Sequence, residues 1–253
     1  MRSSTMLRGV LLSVALPLLA VTPAGAQAGF LFDPPTLTLS GRGGYNRAAA
    51  GSDVYDFFIR QLTLERGDFS GAVFMGELAV TVTPRLDVVA GVGHASRAAP
   101  SESRTHVGTD GLPIAQTTTL RRTPVTASLK VYPLPRGRRI GSHAWVPARL
   151  TPFVGVGGGG LHYDLEQSGE FVDTARCDAD GVCEIFQSTL TSDGWTGTLH
   201  VMGGVDYWLT TRLGLSGEAR YLWASAPLSA SFVGFEDIDL SGLQGTVGLS
   251  VRL

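Results

Sequence analysis

The chain has 253 residues, a formal net charge of -2, 17% charged residues and 33 glycines. Of its 20 basic residues only Lys130 is lysine, and no basic field is present, which excludes a nucleic-acid partner. A glycine-rich composition without a long helical period predicts a single all-β unit.

Arg2 and Arg8 flank the start of an apolar run, Gly9 to Val21, that is too short to span a bilayer and leads to Ala24-Gly25-Ala26. Residues 1–26 therefore read as a secretory signal peptide. Ala26-Gln27-Ala28 offers a second small-x-small site, so cleavage after 26 or after 28 fits. Export lets Cys177 and Cys183 pair as a disulfide in an oxidising compartment. After the signal peptide no apolar run is long enough for a transmembrane helix, so a membrane-resident chain has to be a barrel.

From Thr36 onward the chain breaks into eight alternating segments. The first places Leu37, Leu39 and Tyr45 on one face, and Thr38, Ser40 and Arg42 on the other. The second sets Phe74, Leu78, Val80 and Val82 against Met75, Glu77, Ala79 and Thr81. Thr83-Pro84-Arg85 turns into the third, Leu86 to His94, with Val88, Ala90 and Val92 on its apolar face. The fourth carries Val125, Ala127, Leu129 and Val131 outward, and Arg122, Thr126, Ser128 and Lys130 inward. The fifth, Thr151 to Asp164, contains four successive glycines from Gly157, which leave its inside face undecided; no helix or Lys-Ser/Thr follows them to make a phosphate loop. The sixth turns Leu199, Val201, Val205 and Tyr207 out, with His200, Met202, Asp206 and Trp208 in. The seventh turns Leu213, Leu215, Tyr221 and Trp223 out, with Ser216, Glu218 and Arg220 in. The eighth, Ser241 to Leu253, alternates to its last residue, with Leu243, Val247, Leu249, Val251 and Leu253 opposite Gln244, Thr246, Ser250 and Arg252.

Four long connections fall on one side: Asn46 to Phe69, Arg97 to Thr118, Glu166 to Asp193 and Ala224 to Leu240. With the N-terminus in the periplasm that side is extracellular. Two of the three opposite turns are short. The third, Pro133 to Arg149, holds Arg136, Arg138, Arg139 and Trp145 and reads as a solvated turn with an interfacial Trp. Tyr45, Tyr221, Trp223 and Trp195 near one rim, and Tyr207 near the other, suit interfacial girdles.

The layout resembles the small eight-stranded outer-membrane barrels, the OmpA/OmpW-like group, over residues 36–253. The resemblance rests on P-V-T-A-S-L-K-V-Y-P at 124–133, P-F-V-G-V-G-G-G at 152–159 and the last strand. Thr246, Gly248, Val251 and Leu253 are similar to the C-terminal assembly signal of such barrels, with Leu253 where Phe is commoner. The resemblance implies an eight-stranded antiparallel transmembrane β-barrel in the bacterial outer membrane. It also implies outer-membrane lipids and the barrel assembly machinery as partners.

Arg42, Glu77, Arg122, Lys130, Asp206, Glu218, Arg220 and Arg252, together with Asp87, all point inward. An eight-stranded interior is about wide enough for its own side chains, so this network is expected to fill the lumen with ion pairs. A narrow gated path is the alternative. Tyr55, Phe57 and Phe58, joined by Phe232 and Phe235 across the barrel closure, are expected to form an extracellular hydrophobic mouth for a small hydrophobic ligand or an extracellular partner. His94 and Ser96 resemble the His-x-Ser pair of outer-membrane lipid A deacylases, although Arg97 stands where that family has Asn. The Asp178-Ala179-Asp180-Gly181 tip lacks the later ligands of a calcium loop. No cofactor, metal or catalytic residue is expected, and the barrel is expected to be a monomer. The expected role is structural or surface-interacting. Passage of small hydrophobic molecules or a narrow channel comes second, and a lipid-modifying enzyme third.

Overall fold

The computed structural model describes residues 29–108, 111–141, 143–177 and 183–253. The expected signal peptide and the Asp178–Gly181 tip lie outside them. In chain order the elements are β1 (Leu37–Ala48), α1 (Asp53–Gln61), a 3-10 turn (Arg66–Phe69), β2 (Gly71–Thr83), β3 (Leu86–Val107) and β4 (Pro113–Val131). A small hairpin, β5 (Gly137–Ile140) and β6 (Ala144–Pro147), precedes β7 (Leu150–Cys177) and β8 (Cys183–Trp208). Then come β9 (Leu213–Trp223), β10 (Ser225–Ala226), a 3-10 turn (Ala230–Phe232), β11 (Ile238–Asp239) and β12 (Gly242–Arg252).

Eight strands close into an antiparallel ring in the order β1-β12-β9-β8-β7-β4-β3-β2. The closing pair runs from Thr38↔Arg252 to Ala48↔Gly242, and the Leu253 amide donates to Leu37 O at 2.9 Å, so the last residue is held. Closure leaves no sheet edge inside a membrane. Leu39, Phe74, Val92, Leu129, Val156, Leu199, Leu215, Val247 and Leu249 are exposed on the outside, while Arg42, Glu77, Lys130, Glu218 and Arg220 are buried inside.

The undecided fifth strand resolves as β7, with Thr151, Phe153, Leu161, Tyr163, Leu165 and Gln167 buried on its lumen side. Gly155, Gly157 and Gly159 continue that lumen face, and they are needed there. A Cβ on Gly157 would come within 2.5 Å of Ala127 O and 2.7 Å of His200 Cε1. A Cβ on Gly155 would come within 2.6 Å of Met202 Cε. The glycines let β7 run close to β4 and leave volume for the side chains of β8.

Three expectations are corrected. The supposed loops at 97–118 and 166–193 are largely strand. The ladders continue to Glu102↔Ala115 between β3 and β4, to Gln116↔Gly169 between β4 and β7, and to Cys177↔Cys183 between β7 and β8. On these extensions the buried inward face is largely polar, with Ser101, Gln116, Thr118, Gln167 and Ser192, so the apolar alternation disappears while the backbone pairing persists. The result is a four-stranded wall, β3-β4-β7-β8, standing beyond the ring.

The segment 133–149 is likewise no simple solvated turn. It forms the β5/β6 hairpin, buries Trp145 and pairs it with Leu31 through backbone bonds of 2.7 and 2.8 Å.

The third correction concerns the apolar residues of Asn46 to Phe69, which do not form an open mouth. Val54, Tyr55 and Phe58 make the buried face of α1, opposite Asp53, Asp56 and Arg60, as helical spacing allows. They pack with Leu62, Leu64, Phe69, Phe232, Ile238 and Leu240 onto Leu120 of β4, Leu161 and Leu165 of β7 and Leu222 of β9. The mouth is closed by a plug.

Candidate functional site

The lumen divides into three levels. In the middle one, β2 supplies Glu77, β1 Arg42, β4 Lys130 and β9 both Glu218 and Arg220. Arg42 Nη2 lies 2.5 Å from Glu77 Oε1 and 3.2 Å from Glu218 Oε2. Arg220 Nη2 lies 2.6 Å from Glu77 Oε1 and 2.8 Å from Glu218 Oε1. Lys130 Nζ is looser, at 3.8 Å from Glu77 and 3.9 Å from Glu218, and sits 4.0 Å above the Phe153 ring. Three cations therefore surround two carboxylates in a layer closed to solvent. His200 contacts Ser128 Oγ through Nε2 at 2.9 Å beside it.

Toward the β5/β6 hairpin, Asp206 accepts from Ser216 Oγ at 2.7 Å and from Tyr132 OH at 3.3 Å. The Arg252 guanidinium stacks 3.4 Å from the Trp208 ring centre and 5.5 Å from that of Trp145. Arg136 reaches in from the hairpin to hold both oxygens of Asp87 at 2.8 and 2.9 Å. Arg122 stands on the plugged side of the charged layer, and among the described residues its hydrogen bonds go to Leu240 O at 3.4 Å and Phe69 O at 3.5 Å.

Of the eight inward residues singled out from sequence, Arg42, Glu77, Lys130, Glu218 and Arg220 thus meet in one cluster. Asp206, Arg252 and Arg122 occupy other levels. Arg136 was missed because it lies in a turn; the available signal was Asp87, an inward acid at a strand end without a partner on its own strand.

The five aromatic residues assigned to the mouth do come together, as packing. Phe57 and Phe235 have ring centres 5.3 Å apart, Phe58 and Phe232 6.5 Å, and Tyr55 meets Phe69 at 4.7 Å. Tyr55 OH donates to Asp239 O at 3.0 Å; burial pushes its phenol pKa up, against the opposing pull of the Arg122 charge. Cys177 and Cys183 are disulfide-bonded at the end of the wall. Thr246 is buried in the lumen, Val251 and Leu253 are exposed, and a Cβ on Gly248 would collide with Gly41 O of β1. His94 lies on the outer wall with Nδ1 3.1 Å from Thr123 Oγ1.

Charge inside and apolar side chains outside invert the distribution of a soluble barrel. The exposed apolar band is rimmed by Tyr45, Trp195 and Trp223 on the plugged side and by Tyr207 on the other. Only lipid can cover such a band on a closed ring. The chain is an outer-membrane β-barrel.

No family model matches the barrel's sequence, and no curated protein matches it. Solved structures similar to the barrel include the outer membrane protein OprG from Pseudomonas aeruginosa, at 14% identity and TM-score 0.48, covering 88% of this chain and 98% of that one. Neisserial surface protein A aligns at 12% identity and TM-score 0.42, covering 89% and 98%. The outer membrane protein AlkL aligns at 16% identity and TM-score 0.37, covering 92% and 96%.

Proposed function

We propose that the barrel is a closed, non-enzymatic anchor that carries the β3-β4-β7-β8 wall beyond the outer leaflet for contact with an extracellular partner. The observation that carries this reading is where the chain spends its length. The lumen is filled by the charged layer, the plug and the periplasmic hairpin, whereas β7 and β8 run on as a paired ribbon to the disulfide. Ladder hydrogen bonds and the Cys177–Cys183 bridge stiffen that ribbon, which lowers the entropy lost on contact. Phe171 and Phe186 pair near its end at 6.1 Å, with Phe186 exposed as a rigid apolar anchor.

The test shortens the ribbon. Ser168 and Thr189 are direct cross-strand partners, so replacing residues 169–188 with Asn-Gly closes the hairpin just above the plug and leaves the ring untouched. Cells displaying the shortened protein are expected to lose attachment to immobilised extracellular proteins and polysaccharides that the full chain supports. Unchanged attachment across the panel overturns the proposal.

A second reading, passage of small hydrophobic molecules, is favoured by the seam where β9 leaves β8. The ladder stops at Leu199↔Trp223, and beyond it Thr198 and Thr196 donate hydroxyl bonds to Trp223 O at 3.0 Å and Ser225 O at 2.5 Å. A depression of about 790 Å³ lies along this seam. Under this reading, Thr196→Val with Thr198→Val would increase uptake of a hydrophobic ester by cells; unchanged uptake removes it.

A further inference from the structure

Arg122 and Arg252 are lumen cations with no carboxylate within ion-pairing distance among the described residues. Arg252 has an aromatic face to lie on. Arg122 has only two carbonyl oxygens at the limit of hydrogen bonding, both from segments of the plug. The Asp239 carboxylate acts on it only from beyond ion-pairing distance, and beneath an apolar plug a guanidinium without an anion in contact is unfavourable. The level below cannot supply the missing charge, since its three cations already outnumber Glu77 and Glu218.

Beside Arg122 is a small cavity of about 10 Å³, room for a single atom-sized occupant. Two polar side chains border it, Asn46 and Gln244, which are direct partners across the closing β1/β12 pair. Both are buried, and Asn46 Nδ2 and Gln244 Oε1 have no hydrogen-bond partner. Turning the Gln244 amide by half a rotation exchanges its oxygen for the NH2 group, so both amides can donate into the space. The remaining lining is largely apolar, including Leu161, Leu222 and Leu240. A guanidinium and two amide donors around a one-atom space describe a receptor for a compact monovalent anion. A water there satisfies the amides but leaves Arg122 without an anion in contact, and phosphate, sulfate or a carboxylate is too large.

We propose that this cavity binds a halide ion, held by Arg122 and the amides of Asn46 and Gln244. The ion ties β4 to the closing strand pair at the level where Arg122 also holds Phe69 and Leu240, so it fastens the plug to the barrel closure.

The test refolds the full chain into detergent micelles in sodium bromide or in sodium gluconate at equal ionic strength, because a buried ion exchanges slowly once the barrel has formed. The urea midpoint of the wild type is expected to be higher in bromide. Arg122→Met is expected to abolish that difference. Gln244→Glu supplies an internal carboxylate, and is expected to raise the midpoint in gluconate and to lose the bromide response; it carries the test if Arg122→Met does not fold. Crystals grown in bromide are expected to show anomalous density between Arg122 and Asn46. Equal wild-type midpoints, a bromide effect that survives in both variants, or a cavity without anomalous density overturns the proposal.

Discussion

Glu77 is the residue whose removal should damage the barrel most through charge alone. It accepts two guanidiniums, from Arg42 at 2.5 Å and Arg220 at 2.6 Å, and faces Lys130 at 3.8 Å. Glu77→Gln keeps the shape but leaves one carboxylate among three buried cations. Breaking a buried pair from one side costs about 3–5 kcal/mol, because the orphaned charge keeps its desolvation penalty. Lys130 is the surplus cation, bonded to neither carboxylate more closely than 3.8 Å, so Lys130→Met alone should cost less than about 1 kcal/mol or stabilise. Combined, the two substitutions restore the charge balance of the wild-type layer and should recover more than half of the single-variant loss. The assay is urea unfolding of barrels refolded into lipid vesicles, followed by tryptophan fluorescence and by the folded-to-unfolded shift in gel mobility. A Glu77→Gln cost below about 1 kcal/mol, or a double variant no better than Glu77→Gln, refutes the idea of a tightly coupled layer.

Val247 is exposed at the middle of β12, and Val247→Arg should cost about 2–4 kcal/mol in vesicles, whereas Val247→Leu should be neutral; equal folding yields would contradict the lipid-facing assignment. Gly157→Ala should cost about 1–3 kcal/mol because its Cβ has no room, while Gly217→Ala, where a Cβ meets nothing within 4 Å, should fold like the wild type. Equal losses at the two sites would show that glycine serves there only as a flexible residue. Thiol labelling of purified protein should require prior reduction, and reduction should loosen only the ribbon end by about 2 kcal/mol without lowering the barrel's unfolding midpoint. Labelling without reductant would remove the clamp.

The barrel is legible in the sequence wherever lipid meets one face of a strand and a crowded lumen the other. Val88 against Asp87, or Val247 against Thr246, states the side without further information. Gly157 to Gly160 state nothing, since faces are read from side chains and these residues have none. Thr117 to Thr119 and Thr189 to Ser192 carry polar residues on their inward face as well, with Thr118 and Ser192 buried there, so strands without an apolar alternation look like loops. The plug left a readable trace in Val54, Tyr55, Phe58 and Leu62, which share one side of a helix with Asp53, Asp56 and Arg60 opposite. That the helix folds inward depends on the apolar upper lumen, and Leu161 and Leu165 on the glycine-blurred strand conceal it. Parity placed the charged residues inside but not at a height. Only the strand register separates Arg122 and Arg252 from the cluster around Glu77.

Side chains fill this barrel, and the conductance of the refolded protein in a planar lipid bilayer, with and without Glu218→Lys, tests that filling most directly. A filled lumen predicts a silent wild type. Discrete wild-type currents whose size changes with Glu218→Lys would contradict it, and would place a water-filled path through the charged layer.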